Sequence, residues 1–189
     1  MQEALRGREV LADRIFGNRS IVKHVVLIMG GSLVVALTAQ LTVPLWPVPI
    51  TGQTFGVLLV GATLGSRRGM AALILYLAEG AAGLPVFAGG SFGPMALVGA
   101  TGGYLWGFVL AAGLIGWLME RGWDRSVGKA ALALSLGNLV IYLIGLPWLA
   151  LFVGWSKLLM VGLIPFVPGD VLKLVISTLA LSSTRKWVS

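Results

Sequence analysis

From Val22 to Leu181 the chain is an almost unbroken succession of apolar stretches, each punctuated by glycine, proline or basic residues. A helix rises about 1.5 Å per residue, so about twenty apolar residues cross a hydrocarbon core about 30 Å thick. Repeated along the chain, this pattern requires lipid around the protein. It leaves no room for a soluble domain of useful size, in keeping with 57% hydrophobic and 11% charged residues.

Apolar length and breakers divide the chain into six membrane segments, 22–41, 53–65, 69–83, 101–119, 128–145 and 170–184. The expected architecture is an all-α integral membrane protein. Residues 1–21 form a cytoplasmic N-terminal segment and 22–189 a single six-helix domain. The second and third segments are short for a full crossing and read as a hairpin whose outer loops dip inward.

Charge tests this count, because cytoplasmic loops collect Lys and Arg. Arg67 and Arg68 lie between segments two and three, Arg121, Arg125 and Lys129 between four and five, and Arg185 and Lys186 after six. All fall on the side of the basic N-terminus, whereas the loops 42–52 and 84–100 carry no basic residue and 146–169 only Lys157. Both termini are therefore expected in the cytoplasm. The net charge of +7 is spread between apolar segments, so it reports topology and not a nucleic-acid partner. The chain has no cysteine, which removes disulfides, thiolate metal sites and cysteine nucleophiles. No small-residue cleavage site follows the first apolar segment, so no cleaved signal peptide is expected.

The outward loops are neither hydrophilic nor helical in pattern. Residues 41–52 are rich in proline, 83–94 in glycine, and both are apolar. Such backbone must be satisfied inside protein or around a ligand, which suits a lid. The stretch from Pro147 to Ser156, with Trp148, Phe152 and Trp155, is expected to lie along the outer interface.

Asp170 and Lys173 stand three residues apart at the outer end of segment six, on one helical face. Asp170 can cap the helix and Lys173 pair with it or snorkel; charges this close to an apolar span also mark functional sites. Together they offer an acceptor and a donor side by side, which suits a cyclic urea. Glu79, near the outer end of segment three, can contact a ligand, lie at the interface or bond loop amides. The single histidine, His24, reads as an interfacial residue at the cytoplasmic start of segment one. Ser32 and Ala36 form a small-xxx-small pair on segment one that serves either packing or a partner, and Gly99, Gly103, Gly107 and Ala111 repeat that spacing into segment four for packing. Gly122 to Lys129 lacks the spacing of a phosphate loop, and Ala130 stands where Ser or Thr is required.

Three blocks resemble the BioY family, the biotin-binding substrate-specificity subunits of energy-coupling-factor (ECF) transporters. They are Val48-Pro49-Ile50-Thr51-Gly52-Gln53-Thr54, then Gly83-Leu84-Pro85-Val86-Phe87-Ala88-Gly89-Gly90 continuing to Thr101-Gly102-Gly103-Tyr104-Leu105, and Pro165-Phe166-Val167-Pro168-Gly169-Asp170-Val171-Leu172-Lys173. The resemblance implies six helices whose outer loops close over biotin, held by Asp170 and Lys173, with Gln53, Phe87, Gly89, Tyr104 and Glu79 completing the binding set. It implies that Ser32 and Ala36 occupy the small-residue motif that meets the transmembrane coupling subunit, although the family usually has alanine at the position of Ser32. It also implies that glycine amides near Phe87 supply donors which a polar side chain supplies in some relatives. Two ATPase subunits would consume ATP; this chain would carry no cofactor and sit in the bacterial cytoplasmic membrane. The competing expectations are a subunit of the same architecture for thiamine or riboflavin, an intramembrane enzyme using Glu79 and Asp170 as acid and base, and a membrane scaffold without a ligand.

Overall fold

The computed structural model describes residues 10–12 and 20–188, with side chains as far as Ser183. Arg6, Arg8, Arg14 and Arg19 of the N-terminal segment, and the side chains of Arg185 and Lys186, lie outside the described residues. In chain order the helices are α1 (Ile21–Ala39), α2 (Gln53–Leu64), α3 (Ser66–Ala81), α4 (Met95–Val98), α5 (Gly102–Met119), α6 (Val127–Val153), α7 (Leu158–Gly162) and α8 (Val167–Val188). Six are long, and they coincide with the six expected segments. Between α1 and α2 a two-stranded antiparallel ribbon pairs β1 (Thr42–Val43) with β2 (Ile50–Thr51), Thr42 opposite Thr51 and Val43 opposite Ile50. The proline-rich loop thus satisfies part of its backbone by a short ladder.

Among the described residues, four helical stretches are long and apolar enough to cross a membrane: Ile21–Ala39, Gly102–Met119, Val127–Val153 and Leu158–Ser183. They differ in what surrounds them. Of the apolar window in α5, 78% is buried, against 22% in α1, so α5 is the central helix and α1 an outer one. Glycine explains the difference. A side chain at Gly107 would stand 3.1 Å from Cα of Ile141 on α6, and one at Gly113 2.7 Å from the Met70 sulfur on α3. These positions let neighbouring helices approach α5 on several sides. Most of α1 instead shows Ile21, Val25, Met29, Leu33 and Leu37 to the outside, as a lipid-facing helix must.

One element departs from the sequence expectation. Helix α6 does not stop at residue 145 but runs through Pro147 to Val153. Proline removes one backbone donor, yet Leu149 and Ala150 beyond it are buried in the core, and the Trp148 indole N–H donates to Gly99 O at 2.9 Å. Tertiary burial outweighs the local break. Trp148 is therefore a packing residue, and of the three aromatic residues in the expected interfacial stretch Phe152 and Trp155 are exposed. At the N-terminus, Val10 and Ala12 are buried against the bundle.

The basic end is tied together by polar contacts. Glu120 Oε1 accepts the Ser66 backbone N–H at 2.7 Å, and His24 Nδ1 accepts from Arg68 Nε at 3.0 Å. These bonds join the start of α1, the α2–α3 turn and the end of α5. Leu58, Ile115, Leu118, Met119 and Leu134 pack beside them as one cluster. A second cluster extends to the opposite end, where it holds the aromatic residues Tyr76, Phe87, Tyr104, Phe108 and Phe166. The loops converge on that end.

Candidate ligand-binding site

The polar centre is built on the first turn of α8. Pro168 falls in that turn, where a missing N–H costs nothing, and the backbone N–H of Asp170 already bonds Phe166 O at 2.9 Å. The Asp170 side chain does not cap; its oxygens reach other groups. Oδ2 accepts from the Tyr142 hydroxyl and, at 3.2 Å, from Asn138 Nδ2, both on α6. Oδ1 accepts from Lys173 Nζ at 3.2 Å, and the same ammonium donates to Thr54 Oγ1 on α2 at 2.7 Å. Asp170 is 5% exposed, and these bonds, with the positive end of the α8 dipole, satisfy its buried oxygens.

The facing wall is aromatic. The Gln53 side chain donates to the Tyr76 oxygen at 2.6 Å and accepts from the Thr51 hydroxyl at 3.0 Å. Tyr76 in turn packs edge-to-face on Phe87, ring centres 5.4 Å apart. Phe87 is buried at 2% because Gly80 leaves room for its ring; a methyl group at Gly80 would fall inside it. The loop that delivers Phe87 turns through Gly89 and Gly90 at φ 62° and 77°, a left-handed conformation that glycine adopts without strain. Gln40, at the end of α1, donates to Phe87 O at 3.3 Å and holds this loop over the bundle. On the third side Tyr104 donates to Gly162 O at 2.9 Å and meets Tyr142 edge-to-face.

Between these walls lies a cleft that is partly open to the outside. Val48, Pro49, Phe108, Ile141 and Phe166 make it apolar, while Asp170, Lys173, Thr54 and Thr51 gather its polar groups. It has the form of a pocket for a ligand with one compact polar head and an apolar body.

Of the residues expected at the site, Asp170, Lys173, Gln53, Phe87 and Tyr104 line this one cleft. Gly89 does not: it shapes the turn, and Ala88 and Ser91 on either side of it reach the lining. Glu79 stands apart as well, its carboxylate accepting from the Ser32 hydroxyl across the α1–α3 contact. Ser32 is fully buried and Ala36 is 8% exposed, so both side chains pack within the fold of the single chain. Sequence reasoning missed Asn138 and Tyr142. The available signal was a pair of polar residues four apart in an otherwise apolar span, on one helical face.

A family model described as the BioY family matches residues 8–189. A probable biotin transporter BioY of Pyrococcus horikoshii is 43% identical over 145 residues, which is 75% of this chain and 85% of the relative. The biotin transporter BioY of Thermotoga maritima is 40% identical over 157 residues, 80% of this chain and 89% of its own. Among solved structures, the S-component for biotin from an ECF-type ABC transporter matches with a TM-score of 0.77 at 26% identity, covering 89% of this chain and 95% of that one.

Proposed function

The chain belongs to the BioY family, and from that premise we infer that it binds biotin and serves its uptake as the substrate-binding subunit of an ECF-type ABC importer. It is a multi-pass membrane protein and a transport subunit, not an enzyme. Biotin is its cargo, and no cofactor takes part. The observation that carries this reading within the structure is the Asp170–Lys173 pair at the end of an apolar cleft. A urea ring needs an acceptor for N–H and a donor for C=O, and the two groups stand next to each other. The aromatic walls suit the fused ring and aliphatic chain by apolar burial.

The same reading extends to the finer assembly. A transmembrane coupling subunit and two ATPase subunits supply the energy, and both termini of this chain face the cytoplasm. The positive-inside pattern of Arg67, Arg68, Arg121, Arg125 and Lys129 supports this orientation. With that orientation the cleft opens outward, as capture from outside requires. The test is the mass of the small molecule that co-purifies with protein from biotin-fed cells. Biotin at near one per chain supports the function, and thiamine or riboflavin in its place refutes it.

A further inference from the structure

Asp170 is held by more partners than a simple ion pair provides, and the count of its bonds limits what it can offer a ligand. Each carboxylate oxygen has about two lone-pair sites. Oδ2 has both filled, by Tyr142 and Asn138, whereas Oδ1 has one filled, by Lys173. The Lys173 ammonium has three N–H groups, of which Thr54 and Asp170 take two. What the pair leaves unfilled is one acceptor site on Oδ1 beside one donor on Nζ, and both residues line the cleft.

Asn138 is informative because it is costly. Its Nδ2 must be the group turned to Asp170, since a carboxylate only accepts. That orientation leaves Oδ1 of Asn138 buried without a partner among the described residues. An orphaned buried carbonyl is unfavourable, and leucine would fill the space without one. The amide earns its place only through what it does to Asp170. Tyr142, one turn along α6, acts on the same oxygen.

Resting on the biotin reading, we propose that Asn138 and Tyr142 are positioning residues: by occupying Oδ2 they reserve Oδ1 of Asp170 for the ligand, so that the Asp170–Lys173 pair reads a single N–H/C=O edge of the urea. The second urea N–H, on the far side of the carbonyl, is not read by this pair.

The experiment measures equilibrium binding of radiolabelled biotin to the purified full chain and to Tyr142→Phe, Asn138→Leu and Asp170→Asn, alone and combined. Folding is checked by melting temperature and gel filtration, and two variants are used so that misfolding of one leaves the other. Tyr142→Phe and Asn138→Leu should each weaken biotin about tenfold in the parent background, the loss of one hydrogen bond to a charged group. In the Asp170→Asn background they should weaken it less than about twofold, because they act through that carboxylate. Equal factors in both backgrounds would mean that they act by packing and would overturn the proposal. Competition by the two mono-N-methylated biotins reads the edge independently of any variant. One isomer should bind within about tenfold of biotin and the other at least about a hundredfold more weakly; equal losses overturn the single-edge reading. A parent chain that fails to bind biotin overturns the function itself, and this inference with it, whereas a parent that binds with equal factors or equal isomers overturns this inference alone.

Discussion

Replacing Asp170 by asparagine changes no volume and removes one charge from the most connected point of the cleft. The carboxylate now accepts from Tyr142 and Asn138 on one oxygen and from Lys173, at 3.2 Å, on the other. An amide has only one accepting end. Turned one way, its N–H₂ group faces the Lys173 ammonium; turned the other, it faces Asn138 and Tyr142. In the first arrangement a donor meets a donor; in the second Asn138 and Tyr142 must turn their own oxygens to accept, and either way the acceptor for the ligand N–H loses its charge. A hydrogen bond to a charged group contributes about 1.5–3 kcal/mol, and each 1.4 kcal/mol is about tenfold in affinity, so biotin should bind about ten- to a hundredfold more weakly. Stability should fall too, since Lys173 is left with Thr54, at 2.7 Å, as its remaining partner. The assay is equilibrium binding in detergent or lipid nanodiscs, with a melting curve on the same sample to separate the two effects. A folded Asp170→Asn protein that binds biotin as tightly as the parent would refute the reasoning.

Gly80→Ala places a methyl group inside the Phe87 ring; displacing a fully packed aromatic side chain should cost about 1–3 kcal/mol in thermal or denaturant unfolding and loosen the cleft wall, visible as weaker biotin binding. Ser32→Leu should destabilise by a similar amount, because Ser32 is fully buried and bonded to Glu79; a variant with parental stability would contradict the inward placement of this face. A cysteine at the exposed Ser91 should react with an impermeant thiol reagent from outside intact cells in the absence of biotin, and labelling only after lysis would reverse the topology.

The helices were legible because bilayer thickness imposes a length and because glycine, proline and basic residues interrupt the apolar runs. Their orientation about their own axes was not. In a soluble helix the polar face marks the outside, but in α1 lipid-facing Val25 and Met29 are as apolar as buried Val35. Nothing in the spacing of Ser32 and Ala36 says whether they face lipid, a partner or the core, and the structure turns them to the core. The passage of α6 through Pro147 was hidden for a related reason: proline is a local signal, whereas the burial of Leu149 depends on helices far away in sequence. At the site, Asp170 and Lys173 stood out as charges beside an apolar span, and the three sequence blocks supplied Gln53, Phe87 and Tyr104. Asn138 and Tyr142 were visible as polar residues in segment five, but their common partner lies on another helix, 32 and 28 residues away. Glu79 was conspicuous for its charge, and its role emerges only when α3 is laid against α1.

The central claim is that this chain holds biotin in the cleft between α2, α5, α6 and α8. Titration of the purified protein with radiolabelled biotin, challenged in turn by excess unlabelled biotin, thiamine and riboflavin, tests it most directly. The account predicts saturable binding of one biotin per chain, displaced by biotin alone. Absence of saturable biotin binding by folded protein, or displacement by thiamine or riboflavin as effective as by biotin itself, would contradict it.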